Sequence, residues 1–329
     1  MLRIHCAFLL ALGLGGCAVT APTASSPFAP ADAPLPASQD FWLDAPAFAP
    51  AQVEVSVQLP PGYEPTDDHR YAVLYINDGQ DMPAVRLRET LQALYRERAI
   101  RPVIVVAIHM LPDRMGTYGL SDRAHARSVV AQTKYGPVGT RAHDYSEWVA
   151  RTLVPWVDAR YRTKQSPDAR AILGWSLGAL NAFNLGWQYP EVFARVGAFS
   201  PSFWLSADNG DAEAVQRTRL AQCMVDGTPP RDHPRMFFAV GTGEEDDDRD
   251  GDGLNDAVDD TRDLIEGWRG RDGGALRGLR QQGYTINLDY TAGPSRSNVV
   301  LYTLQGGRHE QASWARMLPV FLRWAYGVQ

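Results

Sequence analysis

The sequence predicts an α/β fold in which a mostly parallel central sheet is covered by helices on both faces. Three observations support this prediction. Short apolar, β-branched runs alternate with stretches of helical spacing, as they do when parallel strands are joined by helical crossovers. Hydrophobic residues make up 45% and charged residues 21% of the 329 residues, as in a globular protein. A serine between two glycines lies where one such run passes into a helical pattern.

The predicted elements begin with residues 52–59, which alternate apolar and polar residues like a half-buried strand. Residues 71–76 and 103–108 are continuous apolar runs, typical of buried parallel strands, and residues 85–99 between them have helical spacing. The later predicted elements are a helix over 145–161, a strand over 169–173, a helix ending before Pro190, strands over 196–199 and 236–240, a helix around 261–268, strands near 286–290 and 299–304, and a last helix over 311–326.

Residues 1–17 are predicted to be a secretory signal. Arg3 precedes an apolar run over 7–14 that is too short to cross a bilayer comfortably. The run ends in Leu-Gly-Gly-Cys17, which resembles a lipobox, the motif whose cysteine is lipidated and becomes the first mature residue. We therefore expect a membrane-anchored lipoprotein of the bacterial cell envelope. An ordinary cleaved signal peptide and an uncleaved anchor are the alternatives.

Residues 18–50 are rich in Ala, Pro, Ser and Thr and are predicted to form an extended tether before a folded domain over 51–329. Ala18 follows the predicted lipid-bearing cysteine at a position where an inner-membrane retention signal prefers aspartate. We therefore expect an outer-membrane lipoprotein facing the periplasm or the cell surface. Cys223 is the one cysteine of the predicted domain, so no disulfide forms within it.

The segment Gly174-Trp175-Ser176-Leu177-Gly178 follows the predicted strand 169–173 directly and precedes a helical pattern. This GxSxG motif, between a strand and a helix, is typical of a nucleophile elbow, a tight turn that exposes a serine hydroxyl above the sheet. The glycines are needed because a Cβ would obstruct the close approach of strand and helix. Ser176 is therefore the predicted nucleophile.

A serine hydroxyl needs a base within hydrogen-bond reach, and an acid must orient that base. In enzymes with such an elbow the chain order is serine, acid, histidine. Only His233 and His309 follow Ser176, and His233 precedes the strand whose end should offer the acid. His309, in a glycine-rich bend between a strand and the last helix, is therefore the predicted base.

Several spaced motifs resemble the esterase family of α/β-hydrolases that includes enterochelin and other siderophore esterases, feruloyl esterases, esterase D and the mycolyltransferases. The resemblance runs from about residue 53 to residue 324 and implies an α/β-hydrolase fold. The motifs are Leu59-Pro60-Pro61-Gly62-Tyr63, Val73-Leu74-Tyr75 with Asp78-Gly79-Gln80, Pro155-Trp156-Val157-Asp158 with Arg160-Tyr161-Arg162, the elbow, Tyr189-Pro190-Glu191-Val192-Phe193, Ser200-Pro201-Ser202-Phe203-Trp204, and Gly307, His309 and Trp314.

The resemblance also implies the remaining site residues. The backbone N–H groups of Leu177 and Gln80 would form the oxyanion hole, which stabilises the negative charge of the tetrahedral intermediate. In feruloyl esterase relatives the acid lies in the turn that follows the strand predicted over 236–240. Here Glu244 is favoured, with Glu245 as the alternative.

Residues 244–260 form an acidic insertion with ten carboxylates and one arginine, a local charge of −9 in a chain of net charge −6. The rest of the chain is therefore close to neutral, which argues against nucleic acid as a partner. The spacing of the carboxylates resembles a calcium loop, and we expect a structural calcium ion, with a solvated acidic insertion as the alternative. The candidate ligands are Asp248, Asp250, Asp252, the Leu254 carbonyl, Asp256 and Asp259.

Together these observations predict a serine-dependent carboxylic ester hydrolase that acts through an acyl-enzyme and needs no catalytic cofactor. A siderophore ester, a hydroxycinnamoyl ester or a similar small ester is the expected substrate. Residues 111–143 read as a loop that shapes the acyl pocket, and its Asp113, Arg114 and Tyr118 bind substrate or form loop salt bridges. The alternatives are an acyltransferase with the same triad and a non-catalytic envelope lipoprotein that retains the fold. The sequence leaves the oligomeric state open.

Overall fold

The computed structural model describes residues 33–229 and 234–328. The predicted signal over 1–17 and His233 therefore lie outside the described residues. The strands are β1 Gln39–Asp44, β2 Gln52–Gln58, β3 Ala72–Ile76, β4 Val103–Ile108, β5 Leu120–Asp122, β6 Arg127–Val129, β7 Ala131–Thr133, β8 Gly136–Val138, β9 Arg170–Trp175, β10 Arg195–Phe199, β11 Arg235–Gly241, β12 Trp268–Arg269, β13 Ala275–Leu276, β14 Ile286–Asn287 and β15 Val299–Leu304.

The helices alternate with the long strands as predicted. They are α1 Leu87–Arg96, α2 Arg114–Thr117, α3 Ala142–Trp148, α4 Val154–Arg160, α5 Leu177–Gln188, α6 Ala212–Thr218, α7 Leu220–Asp226, α8 Asp256–Glu266 and α9 Gln311–Tyr326. A π-helical segment, Val149–Leu153, joins α3 to α4, so the helix predicted over 145–161 is continuous in path but not in hydrogen bonding. Within the described ranges, no helix is both long enough and apolar enough to span a bilayer.

The central sheet has nine strands in the order β1-β2-β4-β3-β9-β10-β11-β15-β14. Strands β1, β2 and β4 pair antiparallel, and every pair from β4 to β14 is parallel. The predicted α/β fold with a mostly parallel sheet is confirmed. Because β3, β9, β10, β11 and β15 are parallel neighbours, their carboxyl ends lie along one edge of the sheet.

Helices cover both faces of this sheet. On one face α3, α4 and α5 bury side chains such as Trp148, Val157 and Phe183 against the sheet. On the other face α1 and α9 pack against each other and against the sheet, and they bury Leu91 and Phe321. The sheet strands are consequently buried on both sides, which explains their continuous apolar runs.

The predicted tether over 18–50 is wrong for its last third, because β1 and a 3-10 turn at Pro46–Phe48 belong to the folded domain. Strand β1 pairs with β2 from Gln39 to Asp44, and the Asp44 carbonyl accepts the indole N–H of Trp148 at 3.0 Å. Leu35 is also buried. The Ala/Pro-rich composition gives no clear strand pattern, because β1 gains its stability from cross-strand pairing. Since β1 belongs to the sheet, the folded domain begins before residue 51.

The segment 111–143, predicted to be a loop, contains helix α2 and two short hairpins, β5-β6 and β7-β8. Helices α6 and α7 were also missed by the sequence analysis. These short elements gain stability mainly from packing against the main domain, so their own sequence pattern is weak.

Candidate active site

The polar groups of the site follow the carboxyl ends of five neighbouring parallel strands. In sheet order, the strands are β3, β9, β10, β11 and β15. The residues that follow these strands are Gln80, Ser176, Ser200, Glu244 and His309, in the same order. Ligands bind beyond the carboxyl ends of the strands in open α/β sheets, so this edge is the expected place for a site.

Ser176 lies on a tight turn between β9 and α5. Its φ is 56° and its ψ is −126°, a conformation that costs a residue with a Cβ on the order of 1–3 kcal/mol. Its N–H donates to the Phe199 carbonyl at 3.0 Å, and its own carbonyl accepts the N–H of Ala179 at 3.1 Å. These bonds hold the strained backbone, as a nucleophile elbow requires.

The two glycines of the elbow are needed for space, as the motif predicts. A Cβ on Gly174 would lie 2.1 Å from the carbonyl oxygen of Gly178, so strand and helix could not close. A Cβ on Gly178 would lie 2.5 Å from Asp78 Oδ2, so the turn after β3 could not pack against the helix. Both contacts involve backbone or a buried side chain that has little freedom to move.

His309 lies between β15 and α9 and contacts a buried carboxylate. Its Nδ1 is 3.1 Å from Oε2 of Glu244, whose side chain is 1% exposed, while the histidine side chain is 42% exposed. The carboxylate can only accept, so Nδ1 carries the proton of this bond. The other ring nitrogen, Nε2, is then the one that can take a proton from a nucleophile.

Two further donors hold Glu244 in place. Its Oε1 accepts the Gly241 N–H at 2.7 Å and the Ser200 hydroxyl at 2.5 Å. Trp314 Nε1 lies 2.9 Å from Ser200 Oγ, and an indole nitrogen only donates. The Ser200 hydroxyl must therefore donate its own proton to Glu244. Trp314, Ser200, Glu244 and His309 thus form one series of hydrogen bonds in which Trp314 donates to Ser200 and Ser200 donates to Glu244.

The sequence does not predict that Ser200 and Trp314 hold Glu244 in place, although both belong to the quoted family motifs. Ser200 directly follows β10, the neighbour of the strand β9 that leads to Ser176, and its φ is 47°. A polar residue at the end of such a strand was the available signal. Trp314 also packs edge-on against the His309 ring, with centroids 5.5 Å apart, and stacks on Trp175.

Glu245, the alternative acid, lies in a different environment. Burial raises the pKa of its carboxyl, and the neighbouring carboxylates of Asp256 and Asp260 raise it further. Of the two glutamates, Glu244 is the one whose carboxylate contacts His309.

A cleft of about 1080 Å³ brings Ser176, Leu177, Glu244 and His309 together. One part of its wall comes from the segment 111–143 and another part from the acidic insertion. The residues that these two parts contribute are Arg114, Met115, Gln132, Thr133, Lys134, Tyr135, Val138, Glu245, Asp247, Asp248, Arg249, Asp256 and Ala257.

The predicted oxyanion donors lie on two adjoining turns. Leu177 begins α5, and the first N–H groups of a helix have no acceptor within the helix. Gln80 lies in a 3-10 turn, Gly79–Asp81, whose first internal bond runs from the Asp81 N–H to the Asp78 carbonyl. Leu177 lines the large cleft, whereas Gln80 lines a separate pocket of about 390 Å³.

Asp78 connects these two turns. Its carboxylate accepts two bonds of 2.8 Å from the Arg114 guanidinium and lies against Gly178 of the elbow. Its N–H donates to the Tyr118 hydroxyl at 3.1 Å, and Asp113 caps helix α2 by accepting the Gly116 N–H at 2.8 Å. The loop residues for which the sequence left two uses open therefore make contacts within the protein, and Arg114 also lines the cleft.

The candidate calcium ligands are only partly brought together. Carboxylate oxygens of Asp248, Asp250 and Asp252 lie within 4.8 Å of one another. Asp256 instead forms an ion pair of 2.9 Å with Arg249 and lies with Asp259 in the first turn of α8. The described contacts of Leu254 include its N–H, which donates to Asp252 at 2.8 Å.

The parallel sheet, the serine elbow and the histidine–glutamate contact at the strand ends define the α/β-hydrolase class. The family model described as "Putative esterase" matches residues 48–268, and the chain belongs to this esterase family. Among curated relatives, the chain is 24% identical over 195 residues to the uncharacterized protein YbbA of Bacillus subtilis (strain 168). The match covers 57% of this chain and 68% of YbbA.

Solved esterases share the fold at low identity. The enterobactin esterase FES from Shigella flexneri, solved with 2,3-dihydroxy-N-benzoyl-glycine, has a TM-score of 0.60 and 16% identity over 89% of this chain. The match covers 60% of that esterase, so this chain spans a little over half of its length. A feruloyl esterase module from Clostridium thermocellum, complexed with sinapinate, has a TM-score of 0.53 and 14% identity, with 93% of each chain covered.

Proposed function

We propose that the protein hydrolyses small carboxylic esters through a covalent acyl-enzyme formed on Ser176. The observation that supports this proposal most is the 3.1 Å contact between His309 Nδ1 and the buried Glu244, in the same cleft as the strained elbow serine. Nucleophile, base and acid are then available at adjacent strand ends, as acyl transfer by a serine requires. Family membership supports the same reaction class.

In the first half of the reaction, Ser176 Oγ attacks the ester carbonyl carbon and His309 Nε2 takes the hydroxyl proton. The carbonyl oxygen becomes an oxyanion, which the N–H groups of Leu177 and Gln80 stabilise. The intermediate then collapses. The bond from carbon to the leaving alkoxide oxygen breaks, and the proton on Nε2 passes to that oxygen.

In the second half, water attacks the acyl carbon and gives its proton to Nε2. The bond to Ser176 Oγ breaks, Nε2 returns the proton to the serine, and the carboxylic acid leaves. Glu244 stays ionised throughout, and it holds the ring and stabilises the imidazolium that forms twice in each cycle. The bonds from Gly241 and Ser200 keep the Glu244 side chain in place beside the ring.

We further propose an aromatic acyl group, as in a hydroxycinnamoyl or siderophore ester. The cleft is lined by two exposed aromatic side chains, Tyr135 at 71% and Trp204 at 39% exposure. Exposed rings of this kind offer stacking area to a flat acyl group. The ligands named for the two solved esterases, a dihydroxybenzoyl compound and sinapinate, are also aromatic.

The location and the calcium ion stay proposals as well. Anchoring through Cys17 is supported by the sequence of residues 1–17 and is tested by incorporation of labelled palmitate, which Cys17→Ser should abolish.

A structural calcium ion is supported by the Asp248, Asp250 and Asp252 cluster. Calorimetric titration of the chelator-treated protein should show heat of calcium binding, and Asp250→Asn should remove it. Absence of heat in the unmutated protein would refute the proposal.

The enzymatic proposal is tested with the full-length protein, a chromogenic short-chain ester and Ser176→Ala as the matched variant. We expect hydrolysis by the unmutated protein and background hydrolysis by the variant. Equal turnover by both would refute the mechanism. Addition of a competing alcohol separates hydrolysis from acyl transfer, because an acyltransferase would give the new ester as its main product. Comparison of feruloyl, siderophore and acetyl esters then tests the aromatic acyl group.

A further inference from the structure

His109 directly follows β4, and both nitrogens of its ring contact neighbouring side chains. Its Nε2 is 2.9 Å from Ser56 Oγ, and its Nδ1 is 3.5 Å from Oε2 of Glu54. Its backbone N–H also donates to the Glu54 carbonyl at 2.9 Å. Contacts at both ring nitrogens and the backbone fix the orientation of the imidazole.

The fixed ring lies against the turn that carries Gln80. A Cβ on Gly79 would lie 2.7 Å from Cδ2 of His109 and 2.9 Å from its backbone nitrogen. The next residue, Met110, donates its N–H to the Gln80 side-chain carbonyl at 3.1 Å. The end of β4 therefore supports both residues of the turn, one by direct packing and the other by a hydrogen bond.

We propose that His109 is a positioning residue that fixes the Gly79–Gln80 turn and thereby the second oxyanion donor. This inference rests on the proposed function, in which the Gln80 N–H stabilises the oxyanion. The ring acts on the backbone of Gly79, adjacent to the donating N–H. Since oxyanion stabilisation depends on donors placed before the reaction begins, loss of the support lowers transition-state affinity.

Ser56, His109 and Glu54 also have the order of a nucleophile, a base and an acid, and all three line the pocket of about 390 Å³. Ser56, however, lies inside β2, paired with Asp40 of β1 and Ala107 of β4. It has no elbow, and its backbone belongs to the sheet rather than to a turn with free N–H groups. The positioning role is therefore favoured over a second nucleophile.

The test compares His109→Ala and His109→Gln with the unmutated protein. Removal of a whole oxyanion donor costs about 100-fold to 1000-fold in kcat, so a misplaced donor should cost roughly 10-fold in His109→Ala. His109→Gln keeps a polar amide near Ser56 and should recover most of that loss. The control is His69→Ala, a half-buried histidine before β3, at the opposite end of the parallel strands, which should leave activity unchanged.

A second measurement separates positioning from a general loss of structure. A trifluoromethyl ketone forms an adduct with Ser176 that carries an oxyanion, so its inhibition constant should rise by the same factor as kcat/KM falls. The thermal unfolding midpoint should stay within about 2 °C of the unmutated protein. If His109→Ala does not fold, Ser56→Ala and Glu54→Ala each remove one ring contact and should each cause a smaller loss in the same two measurements.

Two results would overturn the inference while the proposed function stands. The first is full activity and full ketone affinity in His109→Ala while Ser176→Ala is inactive. The second is labelling of Ser56 by a fluorophosphonate in the Ser176→Ala protein, which would make Ser56 a nucleophile. An unmutated protein without esterase activity would instead overturn the proposed function, and this inference with it.

Discussion

The Glu244→Gln variant tests the assignment of the acid while it preserves the shape of the site. The amide oxygen can occupy the Oε1 position and still accept from Gly241 and Ser200, at the 2.7 Å and 2.5 Å contacts of the glutamate. The amide nitrogen then lies at the Oε2 position, 3.1 Å from His309 Nδ1, and can only donate. The histidine must therefore carry its proton on Nε2, the nitrogen that should accept from Ser176.

The expected loss is large because the wrong tautomer removes the base. In the chymotrypsin triad, the corresponding change from aspartate to asparagine lowers kcat by about 10⁴. A factor of 10⁴ corresponds to about 5 kcal/mol of transition-state stabilisation. Since the two bonds that hold the side chain persist in Glu244→Gln, stability should change by less than about 1 kcal/mol.

The assay is the rate of nitrophenol release from a short-chain nitrophenyl ester, with urea unfolding of each variant. Glu245→Gln is the matched control, because it makes the same chemical change one residue along the chain and should retain activity within about threefold. More than a tenth of the activity in Glu244→Gln, or an equal loss in Glu245→Gln, would refute the reasoning.

Three further predictions follow from the same contacts. Ser200→Ala removes a donor to Glu244 and should lower kcat about 10-fold with little change in KM; kinetics of the purified variant check it. Gly178→Ala places a methyl against Asp78, so its thermal midpoint should fall by several degrees in calorimetry. Burial and neighbouring carboxylates raise the pKa of Asp259 to about 7. The unfolded chain loses this proton near the usual aspartate pKa of about 4, whereas the folded protein keeps it until about pH 7, so stability falls as pH rises from about 4 to about 7. Asp259→Asn should therefore stabilise the protein far more at pH 8 than at pH 4 in urea unfolding.

The parts of the fold that the sequence predicts best are the buried strands and the last helix. The predicted bounds are confirmed for Val103–Ile108, Val299–Leu304 and Gln311–Tyr326. Polar or Pro-containing segments flank each of these apolar patterns and mark where the element begins and ends. Helix α8 begins five residues before the predicted 261. Asn255 caps it by accepting the Val258 N–H at 3.0 Å, a signal that the surrounding acidic run conceals.

The elements that were missed depend on partners far away in sequence. Strand β1 was assigned to the tether because its stability comes from pairing with β2 and from the contact with Trp148. The same holds at the site. Chain order and the elbow motif predict Ser176 and His309, whereas Glu244, with Glu245 as its alternative, is predicted only by the family resemblance. The position of Ser200 after β10 signals a site residue, but its contact with Glu244 joins two separate strand ends, and no local pattern reveals that partner.

The most direct test of the central claim is the mass of the covalent intermediate. The protein is mixed with a nitrophenyl ester, quenched in acid during turnover and digested for mass spectrometry. We expect the acyl mass on the peptide that contains Ser176, and none in the Ser176→Ala variant treated in the same way. Continued hydrolysis without an adduct at Ser176, or an adduct formed on another residue at the rate of turnover, would contradict the account.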